Sequence, residues 1–242
     1  MTPLDDLNTI QSGISSRVAF LDKYLSRLLT KTQIYLFLGV LFTALALFLL
    51  GTIVPMPDSA IQVLNQQYAN TTQTITAAPL YIKWATIVAN NLHIALLEMV
   101  PVLGLIIIAV SSFDTGQLIH AVALGGSLYP GANPLVVGVE LFVFPHAVVE
   151  FSAYALAISS SMLFVWALIR RRGAKEAAKT FLVAIGGTFI LLAVAGFLET
   201  LLYVSALFAA VMWFPVVYVV IKLRRKAIQF ETEGLNSTPQ EL

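Results

Sequence analysis

Glutamates and histidines recur inside stretches of this sequence that hold no lysine or arginine. His93 and Glu98 lie in the apolar run Trp84–Val110, behind Asn90 and Asn91. His146 and Glu150 stand at the head of the run Ala147–Ile169, with Tyr154 four residues on. Glu140 lies on a short segment before them, closed by Pro145, and Glu199 ends the run Phe181–Thr200. On a helix, Asn91 and Glu98 share a face, as do His146, Glu150 and Tyr154. Carboxyls and imidazoles placed this way could relay a proton or hold a cation through Glu98, His93, His146 and Glu150. The same residues could instead form a polar clasp that fixes the register of packed helices. Both readings stand at this stage.

Other chemistries find little support. His146 and Glu150 could ligate a metal with a third residue, but the His-Glu-x-x-His pattern of zinc hydrolases is absent. There is no nucleophile elbow, phosphate loop or dinucleotide glycine pattern, so the chain cannot hydrolyse ATP by itself. There is no cysteine, which excludes disulfides and thiolate chemistry. The expectation is a non-enzymatic protein with no catalytic residue, metal or cofactor.

The elements that must position these side chains follow from composition. The chain has 242 residues, 58% hydrophobic and 11% charged, with a net charge of +1 and a mean hydropathy of +0.85. A soluble domain is about 45–50% apolar and about 25% charged. A soluble enzyme or binding module is therefore excluded, and the charge gives no sign of nucleic-acid binding. The fold class expected is all-α: a polytopic membrane helical bundle. The apolar runs are too long for the alternating ~10-residue strands of a membrane barrel. An ionised acid at mid-membrane costs roughly 3 kcal/mol on insertion scales. The acids must then face the bundle interior, where a carboxyl can take up its proton or bond a His, Asn or Tyr on a neighbouring helix.

The first run, Ile34–Val54, covers 21 residues without charge, or ~31 Å at ~1.5 Å per residue. Residues 1–33 before it read as an amphipathic surface helix. Ile14, Val18, Leu21, Leu25 and Leu28 recur at helical spacing among Arg17, Lys23, Arg27 and Lys31. Further runs follow at Trp84–Val110, Thr115–Leu128, Ala147–Ile169, Phe181–Thr200 and Tyr203–Ile221. About six transmembrane helices within residues 34–221 result. Of 14 Lys and Arg residues, all but Lys83 precede the first run, lie in Arg170–Lys179 or lie in Lys222–Lys226. Positive charge collects on the cytoplasmic side, so both termini of a multi-pass cell-membrane protein are expected inside. Residues 55–83 are then an outer loop, with Asn70-Thr71-Thr72 a glycosylation sequon. Residues 222–242 are a basic flank and a polar, disordered cytoplasmic tail. Between Ser111 and Pro145, Gly125, Gly126, Pro130, Gly131 and Pro134 interrupt any straight helix. A short span, an outer turn at Tyr129–Pro134 and a half-helix Leu135–Phe144 are expected, a broken or re-entrant segment beside a cavity. Small residues from Ser152 to Ser160, and Gly186, Gly187, Ala193, Ala195 and Gly196, make faces for close helix packing.

The polar constellation also resembles a known family. Asn90-Asn91-Leu92-His93-Ile94-Ala95 looks like the Asn-Asn-x-x-x-Ala signature of the stage II sporulation protein M family of integral membrane proteins. Phe144-Pro145-His146-Ala147-Val148-Val149-Glu150 resembles its Pro-His-Gly-x-x-Glu, with Ala147 in place of glycine. Ala195-Gly196-Phe197-Leu198-Glu199 resembles its late Ala-x-x-x-Glu element. The family's Asn-Gly element is replaced here by Asp114-Thr115-Gly116, with Gly125 later. The resemblance covers about residues 84–221. It implies a role rather than a reaction: in spore formers the namesake works in a membrane complex that supports wall remodelling during engulfment. It also implies that Asn90, Asn91, Pro145, His146, Glu150 and Glu199 carry the shared function.

Two functions are weighed. One is a membrane scaffold, a subunit of a complex with other membrane or membrane-associated proteins. The other is a permease subunit of an ABC-type exporter, which would form a homodimer and borrow a separate ATPase through Arg170–Lys179 or the N-terminal helix. Besides the bilayer, the partners expected differ: an ATPase subunit favours the permease, and a wall or secretion factor favours the scaffold.

Overall fold

Thr30 begins the first long helix by accepting a hydrogen bond on its side chain from Gln33 N. That helix, α1, is Lys31–Ile53. In the computed structural model, residues 23–125 and 132–202 are described, together with 211, 213, 214, 217, 218, 221 and 222. The helices after α1 are α2 (Asp58–Ala77), α3 (Leu80–Glu98), α4 (Leu103–Leu124), α5 (Pro134–Glu140), α6 (Pro145–Ile169) and α7 (Ala174–Leu202). A 3-10 turn, Leu141–Val143, joins α5 to α6, and residues 23–28 are also helical. Every regular element among the described residues is helical. Four of them, α1, α4, α6 and α7, are long and apolar enough to cross a membrane. The expected last span, the tail, the turn at 129–131 and residues 1–22 of the surface helix lie wholly or mostly outside the described residues.

Two boundaries differ from those read in the sequence. The run Trp84–Val110 is not one span. Helix α3 stops at Glu98, and α4 restarts at Leu103. Between them Leu103 N donates to Pro101 O at 2.8 Å, with Val102 at φ 68° and ψ −52°. This is a γ-turn, held by a β-branched residue in a conformation that ordinarily strains it. Second, the expected outer loop 55–83 is largely helix α2. Its half-buried positions Ile61, Leu64, Tyr68, Thr72 and Ile75 recur every three or four residues, so one face lies on α4. Asn65 anchors it, its Nδ2 donating to Ala121 O at 2.9 Å. Asn70 is exposed, but in mid-helix rather than in a loop.

Helices α1 and α4 run parallel and nearly touch. A Cβ on Gly51 would lie 2.2 Å from Phe113 O, and one on Gly116 would lie 2.1 Å from Phe48 O. Only glycine permits this approach. At its end α1 leaves carbonyls without helical partners, and α4 supplies donors for them. Gln117 Nε2 donates to Gly51 O at 2.7 Å and to Val54 O at 3.0 Å, and His120 Nδ1 bonds Thr52 O at 2.8 Å. Helix α6 lies antiparallel to α1. Buried Gln33 donates to Ser159 and Ser160 Oγ at 2.8 and 3.0 Å, and Phe48, Phe142 and Phe151 meet edge-on. The small residues of α6 face α7 closely enough for Thr188 Oγ1 to donate to Ala153 O at 3.5 Å. The common core holds Val40, Ala44, Ala95, Ile108, Tyr154 and Leu192.

Candidate functional site

The chain brings three carboxyls together from three helices. Glu98 ends α3, Glu150 lies one turn into α6, and Glu199 lies near the end of α7. Both Glu98 and Glu199 lie within electrostatic reach of Glu150, which is the hub of the group. Glu98 is fully buried (0% exposed), and neither of its oxygens has a hydrogen-bond partner. Glu150 is half-buried and accepts a hydrogen bond from Tyr154 Oη at 2.9 Å. That pair uses the four-residue spacing within α6. Asn91, buried on α3, turns its amide toward the same carboxyl without closing a hydrogen bond.

The local sequence explains the convergence. Asn91, Ala95 and Glu98 recur at four and three residues, and all are buried on one stripe of α3. Trp84 Nε1 donates to Ala193 O at 3.0 Å, which ties α3 to α7. Pro145 occupies the first turn of α6, where its missing N–H costs nothing, and starts the helix one turn before Glu150.

Not every residue of the expected cluster joins it. His93 is exposed. It lies two residues beyond Asn91, about 200° round the helix, and so on the opposite side of α3. Asn90 is also exposed, with Nδ2 donating only to Asn91 Oδ1 at 3.4 Å. Glu140 is exposed at the end of α5, where it borders a cavity of about 320 Å³ with Tyr68, Val137 and Phe144. It does not meet the other acids because the 3-10 turn and Pro145 redirect the chain between it and α6. His146 is half-buried beside the Phe144 ring, at 6.3 Å between centroids. Its Nδ1 has no partner, and among the described residues no hydrogen bond joins it to Glu150. A relay in the order Glu98, His93, His146, Glu150 is therefore not assembled. Among the described residues no group of three or more His, Cys, Asp or Glu side chains is placed to hold a metal.

Other polar anchors lie outside the cluster expected from the sequence. Gln33, Gln117 and His120 join helices at the two ends of α1. Their available signal is simple: each is a polar side chain at the edge of, or within, an apolar run, and in lipid such a side chain needs a partner.

The sequence profile of a family described as Stage II sporulation protein M matches residues 34–203, which takes in α2 to α7 and all but the first three residues of α1. No curated protein and no solved structure matches the chain. The profile spans well over half the chain and includes every residue of the carboxyl cluster, so the helical membrane protein described here belongs to the stage II sporulation protein M family.

Proposed function

We propose that the protein is a non-enzymatic membrane scaffold, one subunit of a larger complex, in which Glu98, Glu150 and Glu199 clasp α3, α6 and α7 in register. One observation carries this reading: the Glu98 arm of the cluster is sealed. Glu98 is fully buried, while Glu150 and Glu199 are half-buried. A relay or a transport path needs water or substrate to reach its acids. A clasp needs the opposite.

The reading includes six crossings: α1, α3, α4, α6, α7 and a last span at 203–221. With that even number, both termini face the cytoplasm of a multi-pass cell-membrane protein, and the basic clusters fall on the inner side. Its partners are the bilayer and other membrane or membrane-associated proteins.

The test replaces all three acids by their neutral isosteres, Glu98→Gln, Glu150→Gln and Glu199→Gln, in one chain. The scaffold reading predicts wild-type levels in the membrane, wild-type assembly size in mild detergent and the same co-purifying proteins. It also predicts full complementation of any envelope phenotype that deletion produces. A variant that assembles normally but fails to complement would establish proton or cation chemistry instead. An ATPase subunit among the co-purifying proteins would establish a permease.

A further inference from the structure

A basic cavity opens where α6 ends and α7 begins. Its volume is about 470 Å³, within the range of small-ligand sites. One wall is charged: Arg27 from the N-terminal helical turn and Arg172 from the α6–α7 connection. The floor is apolar, made of Leu163, Ala167, Phe164 and Phe181, the last two stacked at 5.4 Å. Gln33 and Ser160 also border it, but they bond each other.

The single acid at the rim, Glu176, is already matched. It accepts from Tyr24 Oη at 2.9 Å and pairs with Arg27 at 3.1 Å, Lys179 at 3.3 Å and Lys23 at 3.7 Å. These cations outnumber it. Arg172 forms no ion pair among the described residues, and its guanidinium can take a phosphate bidentately. Nearby, Arg170 stacks on Trp166 at 4.3 Å. A tryptophan and arginine at a helix end mark the depth of lipid headgroups.

We propose that this cavity binds the phosphate of an anionic phospholipid, with Arg172 and Arg27 on the headgroup and the acyl stem on Phe164, Phe181 and Leu163. A soluble phosphate would satisfy the arginines, but it would leave the apolar floor wet. The inner leaflet carries anionic lipid, so the site rests on the cytoplasmic placement of this end proposed above.

The experiment uses the full chain, stripped of lipid in mild detergent. It is titrated separately with phosphatidylglycerol, phosphatidylcholine and inorganic phosphate, and bound molecules are counted by native mass spectrometry. Phosphatidylglycerol is expected to be retained about tenfold better than phosphatidylcholine. Arg172→Gln, on an exposed connection, should lower that retention about fivefold while leaving phosphatidylcholine binding and the melting temperature unchanged. Ala167→Phe should lower it with every charge intact, because it fills the floor. Equal retention of the two lipids, or no effect of Arg172→Gln, overturns the site. Displacement of phosphatidylglycerol by equimolar inorganic phosphate overturns the lipid assignment in favour of a soluble anion.

Discussion

Gly116→Leu is expected to collapse the yield of monodisperse protein in mild detergent. The residue sits where α1 and α4 cross, and even a Cβ would lie 2.1 Å from Phe48 O. The obstacle is backbone, so no rotamer change relieves it. Across the crossing a Cβ on Gly51 would lie 2.2 Å from Phe113 O, so neither helix can yield toward the other. Overpacking in a well-packed interior typically costs 1–3 kcal/mol, and a backbone-on-backbone clash belongs at about 3 kcal/mol or above. Parting the helices would also pull Gln117 from Gly51 O and His120 from Thr52 O, exposing buried carbonyls with no water to take their place. Gly39→Ala is the control, since a Cβ there meets nothing within 4 Å. It should leave yield and thermal midpoint at wild-type values. A monodisperse Gly116→Leu with an unchanged midpoint would contradict the parallel packing of α1 on α4.

Glu150→Leu is expected to destabilise the bundle by about 1–3 kcal/mol, because it strands the buried Tyr154 hydroxyl. Tyr154 is 6% exposed and bonds the Glu150 carboxyl at 2.9 Å. Glu150→Gln keeps an acceptor oxygen at the same place and should stay within about 1 kcal/mol of wild type. The informative variant is the double one. Adding Tyr154→Phe to Glu150→Leu removes the stranded hydroxyl and should restore most of the loss, since deleting both partners of a buried hydrogen bond is nearly neutral. Thermal unfolding in one detergent at one protein concentration reads all four proteins. If Glu150→Leu and Glu150→Gln unfold alike, the Tyr154 bond does not hold the cluster.

Much of this architecture can be read without coordinates, and the exceptions have physical causes. The long apolar helices and the stripe Asn91–Glu98 follow from hydropathy and a 3.6-residue period. The break after Glu98 does not. Met99, Val100 and Val102 are all apolar, so the run appears unbroken, and Pro101 alone is tolerated inside many membrane helices. The γ-turn at Val102 goes against local preference, and Gly104 permits it, since a Cβ there would lie 1.9 Å from Glu98 O. Helix α2 was hidden by composition: its Asn, Gln and Thr residues resemble a loop, and only the spacing of Ile61, Leu64, Tyr68 and Ile75 shows a face. In the site, the intra-helix pair Glu150–Tyr154 was legible as an i, i+4 spacing. The outward turn of His93 is legible too, since two residues past Asn91 is about 200° round a helix. The meeting of α3, α6 and α7 was not legible, because it depends on three helix rotations that no single segment encodes.

The central claim is that the Asn91–Glu98 face of α3 looks across at Glu150 while His93 looks away. The chain has no cysteine, so introduced pairs can be read without background. Asn91→Cys with Glu150→Cys, treated in native membranes with a short bifunctional methanethiosulfonate, should form an intramolecular cross-link. His93→Cys with Glu150→Cys should not. Cross-linking of the His93 pair, with none for the Asn91 pair, would place α3 the other way round and leave Glu98 facing away from Glu150.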